Sequence, residues 1–177
     1  MSETAAKHKA DVPKILNFAV IVCSTSRYEE YLKTGKYGDQ SGDLIVQIVK
    51  SNGHRVTMRR LVSDDKQEIQ RAVLRALRSR KTDVVVTSGG TGISPKDVTI
   101  EAVQPLLEKD LPGFGQLFRM LSYEKIGSPA LLTRAIAGVA YGKPVFCLPG
   151  SPQSVSLALE NLILPEAGHI LKHAREK

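Results

Sequence analysis

Asp83-Val84-Val85-Val86-Thr87-Ser88-Gly89-Gly90-Thr91-Gly92-Ile93-Ser94-Pro95-Lys96-Asp97-Val98-Thr99 is the stretch that decides the fold. Its continuous apolar run reads as a strand buried on both faces, the habit of a parallel sheet. The strand empties into a turn with three glycines, two hydroxyls and then a Lys-Asp pair. Glycines there let backbone N–H groups approach an anion closely, because no Cβ intervenes and positive φ costs nothing. A carboxylate beside a bound phosphate is repelled unless a cation lies between them, so Asp97 implies a divalent metal, most simply Mg²⁺. The plainer account is a turn that only reverses the chain, with Asp97 capping a helix that begins near Val98.

Working outward, strands and helices alternate. Phe18 to Ser24 is an apolar strand, Thr25 to Gln40 a loop, and a helix from near Ser41 buries Leu44, Ile45, Ile48 and Val49 before Asn52-Gly53 ends it. His54 to Val62 is the second strand, Lys66 to Arg80 the second helix, Asp83 to Ser88 the third strand and Val98 to Leu107 the third helix. Pro112-Gly113 then breaks the chain before the amphipathic stretch Phe114 to Lys125. Leu131 to Ala140 reads equally as strand or helix. Val145 to Leu148 is a short buried strand, and two helices, Gln153 to Leu164 and Pro165 to Ala174, finish the chain. This order predicts a doubly wound α/β fold, a mostly parallel sheet with helices on both faces and ligands beyond the carboxyl ends of its strands.

The chain's 177 residues, 42% of them hydrophobic, suit one domain at residues 18–177, preceded by a polar, flexible arm at residues 1–17. With no signal-peptide or membrane-spanning stretch, the expected location is the cytoplasm. Cys23 and Cys147 each lie in an apolar run and read as buried free thiols rather than a disulfide or part of a zinc set. The net charge of +7 suits an anionic partner. Arg71, Arg75 and Arg78 share one helix face, which reads as solvated; no RNA-recognition strand or helix-turn-helix accompanies them, so nucleic acid is not the expected partner.

The turns after the strands at Phe18, Asp83 and Val145 would meet on one edge. They carry Ser24-Thr25-Ser26-Arg27, the glycine loop, and Leu148-Pro149-Gly150-Ser151-Pro152, with Ser63-Asp64-Asp65 beside them. The expected ligand contacts are therefore Ser24, Thr25, Ser88, Gly89, Gly90, Thr91, Gly92, Gly150 and Ser151. His8, His54, His169 and His173 all fall away from these turns, so no nucleophilic triad forms, and metal-aided phosphate chemistry fits better than acyl transfer. The loop Arg27 to Gly38, with Tyr28, Tyr31 and Tyr37 among its cations, reads as a mobile flap with rings to stack on a ligand.

Several of these motifs occur together in a known order: Gly89-Gly90-Thr91-Gly92 with Ser94-Pro95-Lys96-Asp97-Val98-Thr99, Pro112-Gly113-Phe114-Gly115 running to Phe118-Arg119-Met120-Leu121-Ser122, Ile126-Gly127, and Leu148-Pro149-Gly150-Ser151-Pro152. From Asn17 onward the chain resembles the MoaB/Mog family of molybdenum-cofactor biosynthesis, most of all its short MoaB-type members, and is similar to the gephyrin G domain. The resemblance implies a three-layer α/β fold and a trimeric or hexameric assembly. It implies a molybdopterin adenylyltransferase, which uses Mg²⁺ to move AMP from ATP to the terminal phosphate of molybdopterin, upstream of a metal-insertion enzyme that is a candidate partner. In tungsten-using organisms the same intermediate serves the tungsten cofactor. The family's two required aspartates map to Asp64 and Asp97, here assigned to metal and ATP; Asp65 is the rival to Asp64, since either can cap the next helix. Asp39-Gln40-Ser41-Gly42 resembles the family's Asp-x-Ser-Gly helix start, and a helix cap explains it as well.

Two departures stand out. Lys96 replaces the usual arginine, keeping charge but losing bidentate geometry, and Ser26 stands where Mog-type proteins commonly carry aspartate. Some MoaB-type members lack the Asp-Val-Thr ending and are thought to bind the pterin without adenylylating it; here the ending is intact, which favours an enzyme over a carrier of the same fold. The apolar side chains Phe114, Leu117, Phe118 and Leu121 either meet a neighbouring subunit or cover the protein's own sheet.

Overall fold

Alternation along the first strand sets the layers. In β1 (Asn17–Cys23) Phe18, Val20 and Val22 join one hydrophobic cluster, while Ala19, Ile21 and Cys23 join another on the opposite side, because successive side chains of a strand point to opposite faces. The computed structural model describes residues 12–176. After β1 come α1 (Thr25–Thr34), α2 (Gln40–Ser51), β2 (Arg55–Val62), α3 (Lys66–Arg78) and β3 (Val84–Ser88). Next are α4 (Thr99–Val103) with a 3₁₀ turn (Gln104–Leu106), β4 (Lys109–Asp110), α5 (Pro112–Ile126) and a 3₁₀ turn (Ser128–Leu132). β5 (Ile136–Ala140), β6 (Lys143–Leu148), α6 (Pro152–Ala158), a π turn (Leu159–Ile163) and α7 (Leu164–Arg175) complete the chain.

The sheet runs β2-β1-β3-β6-β5-β4. Its first four strands are parallel, with Val20 beside Val86 and Val86 beside Phe146, whereas β5 and β4 join antiparallel. One face is covered by α2, α5, α6 and α7 through Ile45, Val49, Phe118, Val155 and Leu171. The other is covered by α3 and α4 through Ile69, Val73, Leu77, Ile100 and Val103. The expected doubly wound, mostly parallel three-layer fold is the observed one. Among the described residues no helix is long and apolar enough to cross a membrane.

Differences from the expected elements have local causes. Thr25 to Thr34 is a helix rather than a loop: Ser24 caps it by accepting from Arg27 N, and Gly35 ends it in the left-handed region at φ 70°. It buries none of its residues, so no apolar periodicity marks it in the sequence. Leu131 to Ala140 resolves into the end of a 3₁₀ turn and strand β5, which forms a hairpin with β6 through Tyr141-Gly142, both at positive φ. The expected arm lies outside the described residues as far as position 11; Leu16 is already buried in the core.

The amphipathic stretch divides its apolar side chains. Phe114 and Phe118 pack onto the protein's own sheet, Phe114 with its ring 5.2 Å from that of Phe146. Leu117, Met120, Tyr123 and Ile126 stay outside with Leu131, the last 82% exposed. Phe118 is fully buried, so Phe118→Ala is expected to lower unfolding free energy by about 3–5 kcal/mol, measured by urea denaturation; a loss below about 1 kcal/mol would show that the ring does not hold α5 to the sheet.

Candidate functional site

Because β1, β3 and β6 are parallel and lie close together in the sheet, their carboxyl ends deliver three turns to one edge. A cavity of about 510 Å³ opens there. Of the expected contacts, Ser24, Asp64, Gly89, Gly90, Thr91, Gly92, Asp97, Gly150 and Ser151 line it. Thr25 and Ser88 do not; they act from behind. Thr25 holds Asp64, and the buried Ser88 hydroxyl donates to Pro149 O at 3.4 Å.

The turns meet through backbone. Gly89 (φ 100°) donates its N–H to Leu148 O at 3.0 Å, and a Cβ on it would strike the Cys23 carbonyl. A Cβ on Gly150 would lie 3.1 Å from Gly89 Cα. Gly90, at φ 62°, has Thr99 Oγ1 and Asp64 Oδ1 at 2.5 and 2.9 Å from the place a Cβ would occupy. Gly89 and Gly90 are thus required by close approach as well as by positive φ. Ser41 Oγ donates to Gly150 O at 2.6 Å, while Asp39 caps α2 by accepting from Gly42 N at 2.9 Å and pairs with Arg59 at 2.7 Å. The Asp-x-Ser-Gly segment therefore fastens α2 to the turn after β6.

Asp64 and Asp65 part company. Asp65 caps α3, accepting from Glu68 N at 2.8 Å. Asp64 points into the cavity: its Oδ2 accepts from Thr25 N at 2.8 Å and Thr25 Oγ1 at 2.9 Å, while its Oδ1 is buried without a hydrogen-bond partner. Leaving a buried carboxylate oxygen unpaired is costly, and a hard cation or an ordered water is the kind of group that relieves it. Asp97 does not cap α4, whose N-cap residue Val98 makes no side-chain cap bond. It accepts instead from Ser94 N at 2.9 Å, closing the loop while lining the same cavity.

Two guanidiniums reach the cleft. Arg27, from the segment read as a flap, lines it; Tyr28, Tyr31 and Tyr37 do not, and Tyr31 meets Tyr37 edge to face. Arg134 was not among the expected contacts. Its Nη1 donates to Gly92 O at 3.0 Å and its Nη2 pairs with Glu101. Burial would raise the Glu101 pKa, but Arg134 outweighs it and holds the carboxyl below its ordinary value. The only sequence signal for Arg134 was a lone cation in the apolar stretch whose conformation was ambiguous. Lys96 is exposed and outside the lining.

Cys23 lines the cavity floor, its thiol against Thr99 Oγ1, which has no nitrogen or oxygen partner. Burial pushes both thiols up to about 12, Cys23 and Cys147 alike.

An open, mostly parallel sheet with a glycine loop, two carboxylates and two guanidiniums at its carboxyl edge defines an α/β protein with a polar cleft at the strand ends. Residues 19–169 match the family described as a probable molybdopterin binding domain, and the chain belongs to this family, among the MoaB-type proteins of molybdenum cofactor biosynthesis. It is 48% identical over 168 residues to molybdenum cofactor biosynthesis protein B of Bacillus cereus, covering 94% of this chain and 95% of that one. To the molybdopterin adenylyltransferase of Pyrococcus furiosus it is 44% identical over 174 residues, covering 96% and 98%. The crystal structure of the tungsten cofactor synthesizing protein MoaB from Pyrococcus furiosus superposes with a TM-score of 0.82 at 43% identity, covering 93% and 99%.

The thiols give a direct check. At mildly alkaline pH neither should react with iodoacetamide in the native protein, and both should after denaturation, because the thiolate is the nucleophile. Their folded pKa values of about 12 exceed the ordinary 9.0, so the folded state keeps protons that the unfolded chain releases. Stability should fall as pH rises from about 9 towards about 12, and replacing both cysteines with alanine should flatten that slope in denaturant titrations.

Proposed function

We propose that this chain is a cytoplasmic molybdopterin adenylyltransferase. A terminal phosphate oxygen of molybdopterin bonds to the α-phosphorus of ATP, the bond from that phosphorus to the β-phosphate bridge breaks, and pyrophosphate leaves. The observation that carries this reading is the buried, unpaired Oδ1 of Asp64 in the cavity that Asp97 and the glycine loop share. Relatives named molybdopterin adenylyltransferase support the reaction class. The product would pass to a metal-insertion enzyme, with molybdenum or tungsten as the eventual metal.

The attacking phosphate is ionised at neutral pH, so a strong general base is not required; the obstacle is repulsion between two anions. Gly89 has committed its N–H to Leu148, which leaves Gly90, Thr91 and Gly92 as the loop's candidate donors to phosphate. Arg27 and Arg134 supply positive charge at the walls. Asp64 and Asp97 would hold Mg²⁺, an ion that favours carboxylate and phosphate oxygens and, when bound, neutralises charge on the transferring group. Thr25 fixes the Asp64 carboxylate with two hydrogen bonds. The buried Cys23 thiol remains protonated and takes no covalent part.

Asp64→Asn and Asp97→Asn should each reduce adenylylated product by orders of magnitude, measured with molybdopterin and Mg-ATP, while molybdopterin binding persists. Asp65→Ala should lose only a helix cap, about 1 kcal/mol of stability, and keep its turnover. Turnover in Asp64→Asn equal to wild type, or loss in Asp65→Ala alone, would reverse the assignment. Folded wild type that binds pterin without product formation would favour a carrier of the same fold.

The reading includes a homo-oligomer, trimer or hexamer, joined through Leu117, Met120, Tyr123, Ile126 and Leu131, large apolar side chains left exposed on one chain. Light scattering at micromolar concentration should give a multiple of the 19.3 kDa chain mass. A monomer would refute the assembly.

A further inference from the structure

His169 and His173 stand one turn apart on α7, and their Nε2 atoms meet at 2.8 Å. Residues at this spacing share a helix face. Each ring turns its other nitrogen to a carboxylate: His169 Nδ1 lies 3.2 Å from Glu166 Oε2, and His173 Nδ1 lies 2.7 Å from Glu176 Oε2. An ionised carboxylate only accepts, so both Nδ1 atoms carry the proton. In neutral rings the two Nε2 lone pairs then face one another, a repulsive arrangement that a cation between them relieves.

We propose that His169 and His173 chelate a divalent transition-metal ion through their Nε2 atoms, with Glu166 and Glu176 orienting the rings. A histidine that binds metal usually gives its second N–H to a carboxylate, which fixes the tautomer and raises the basicity of the ligating nitrogen. Here both rings have that support. Metal–nitrogen bonds of about 2.0–2.1 Å at a tetrahedral centre need the nitrogens roughly 0.5 Å further apart, a shift small side-chain rotations supply. No group of three metal-binding side chains occurs among the described residues, and the remaining coordination positions are open to water. Imidazole selects copper, nickel or zinc over Mg²⁺, and copper(II) binds most tightly in the usual order.

The site is independent of the proposed reaction. Arg175, at the end of α7, pairs with Asp83 just before β3, and Ala174 approaches the β5–β6 turn. This is the edge of the sheet opposite the cleft. The rings are accessible, with side chains 30% and 46% exposed. Lys172 and Arg175 oppose a cation here, and the two glutamates offset them. An ion so placed clamps the last turns of α7, which carry Leu171 into the core, and stabilises the folded chain by mass action.

The test is titration of the purified full chain with copper(II), nickel(II) and zinc chloride in a non-coordinating buffer near neutral pH, read by calorimetry, with electron paramagnetic resonance on the copper form. One copper per chain with a two-nitrogen hyperfine pattern is expected. His169→Ala and His173→Ala should each remove that pattern, and Glu166→Gln or Glu176→Gln should weaken binding by about tenfold or more. His54→Ala should change neither affinity nor spectrum. Zinc should raise the melting temperature of wild type and not that of His173→Ala, with circular dichroism confirming that the variant folds. Absence of stoichiometric copper binding, its survival in both His169→Ala and His173→Ala, or its loss in His54→Ala would overturn the proposal.

Discussion

The backbone of Gly89 lies against the Cys23 carbonyl on one side and Gly150 on the other; a Cβ on Gly89 would overlap that carbonyl, and one on Gly150 would crowd Gly89 Cα. This three-way contact joins the ends of β1, β3 and β6, and most of the cleft follows from it. Gly89 N–H, bonded to Leu148, keeps the loop in line with the sheet. Ser41 grips Gly150 from α2, so a helix from one face of the sheet helps fix the height of the last turn. Gly90 follows with positive φ and passes directly over Asp64 and Thr99. A methyl group on Gly89 would push the ends of β1 and β3 apart, which ties the shape of the glycine loop to the packing of the sheet itself.

Carboxylates elsewhere in the chain show what a purely structural aspartate looks like here. Asp39 is almost wholly buried, yet it accepts from Gly42 N and pairs with Arg59. Asp83 accepts from Asn17 and meets Arg175, and Asp65 caps α3. Asp64 differs because its unused oxygen is buried. The reciprocal bonds with Thr25 hold the carboxylate rigidly while its second oxygen stays buried and unpaired. A side chain required only for folding has no reason to retain that cost. The same asymmetry separates Asp64 from its neighbour more firmly than sequence position does.

Where local chemistry dictates structure, the sequence was legible. Three consecutive valines and a run of glycines announced β3 and its loop, and the amphipathic face of α3 announced a helix beside the sheet. α1 was not legible because it packs no side chain into the core, so its cap residues Ser24 and Gly35 carried the only signal. Arg134 belongs to a junction whose position depends on the antiparallel pairing of β5 with β6, a long-range event. The choice between Asp64 and Asp65 likewise rested on Thr25, 39 residues away. The histidine pair differs: the helical spacing of Glu166, His169, His173 and Glu176 is plain in the sequence, but which ring nitrogens meet depends on side-chain rotamers that spacing does not set.

Charge around the cleft bears on how an anionic ligand is held. The lining sets two carboxylates, Asp64 and Asp97, against two guanidiniums, Arg27 and Arg134. Arg134 is already paired with Glu101, so the walls carry no surplus of positive charge with which to gather a triphosphate and a pterin phosphate together. The chain's net charge of +7 does not repair this, since Arg71, Arg75 and Arg78 project from the exposed face of α3, where salt screens their reach within about 10 Å. Backbone amides contribute partial charge only. Under the proposed reaction, bringing two phosphate groups into contact in this cavity would call for a cation from solution, which the oxygens of Asp64 and Asp97 would receive.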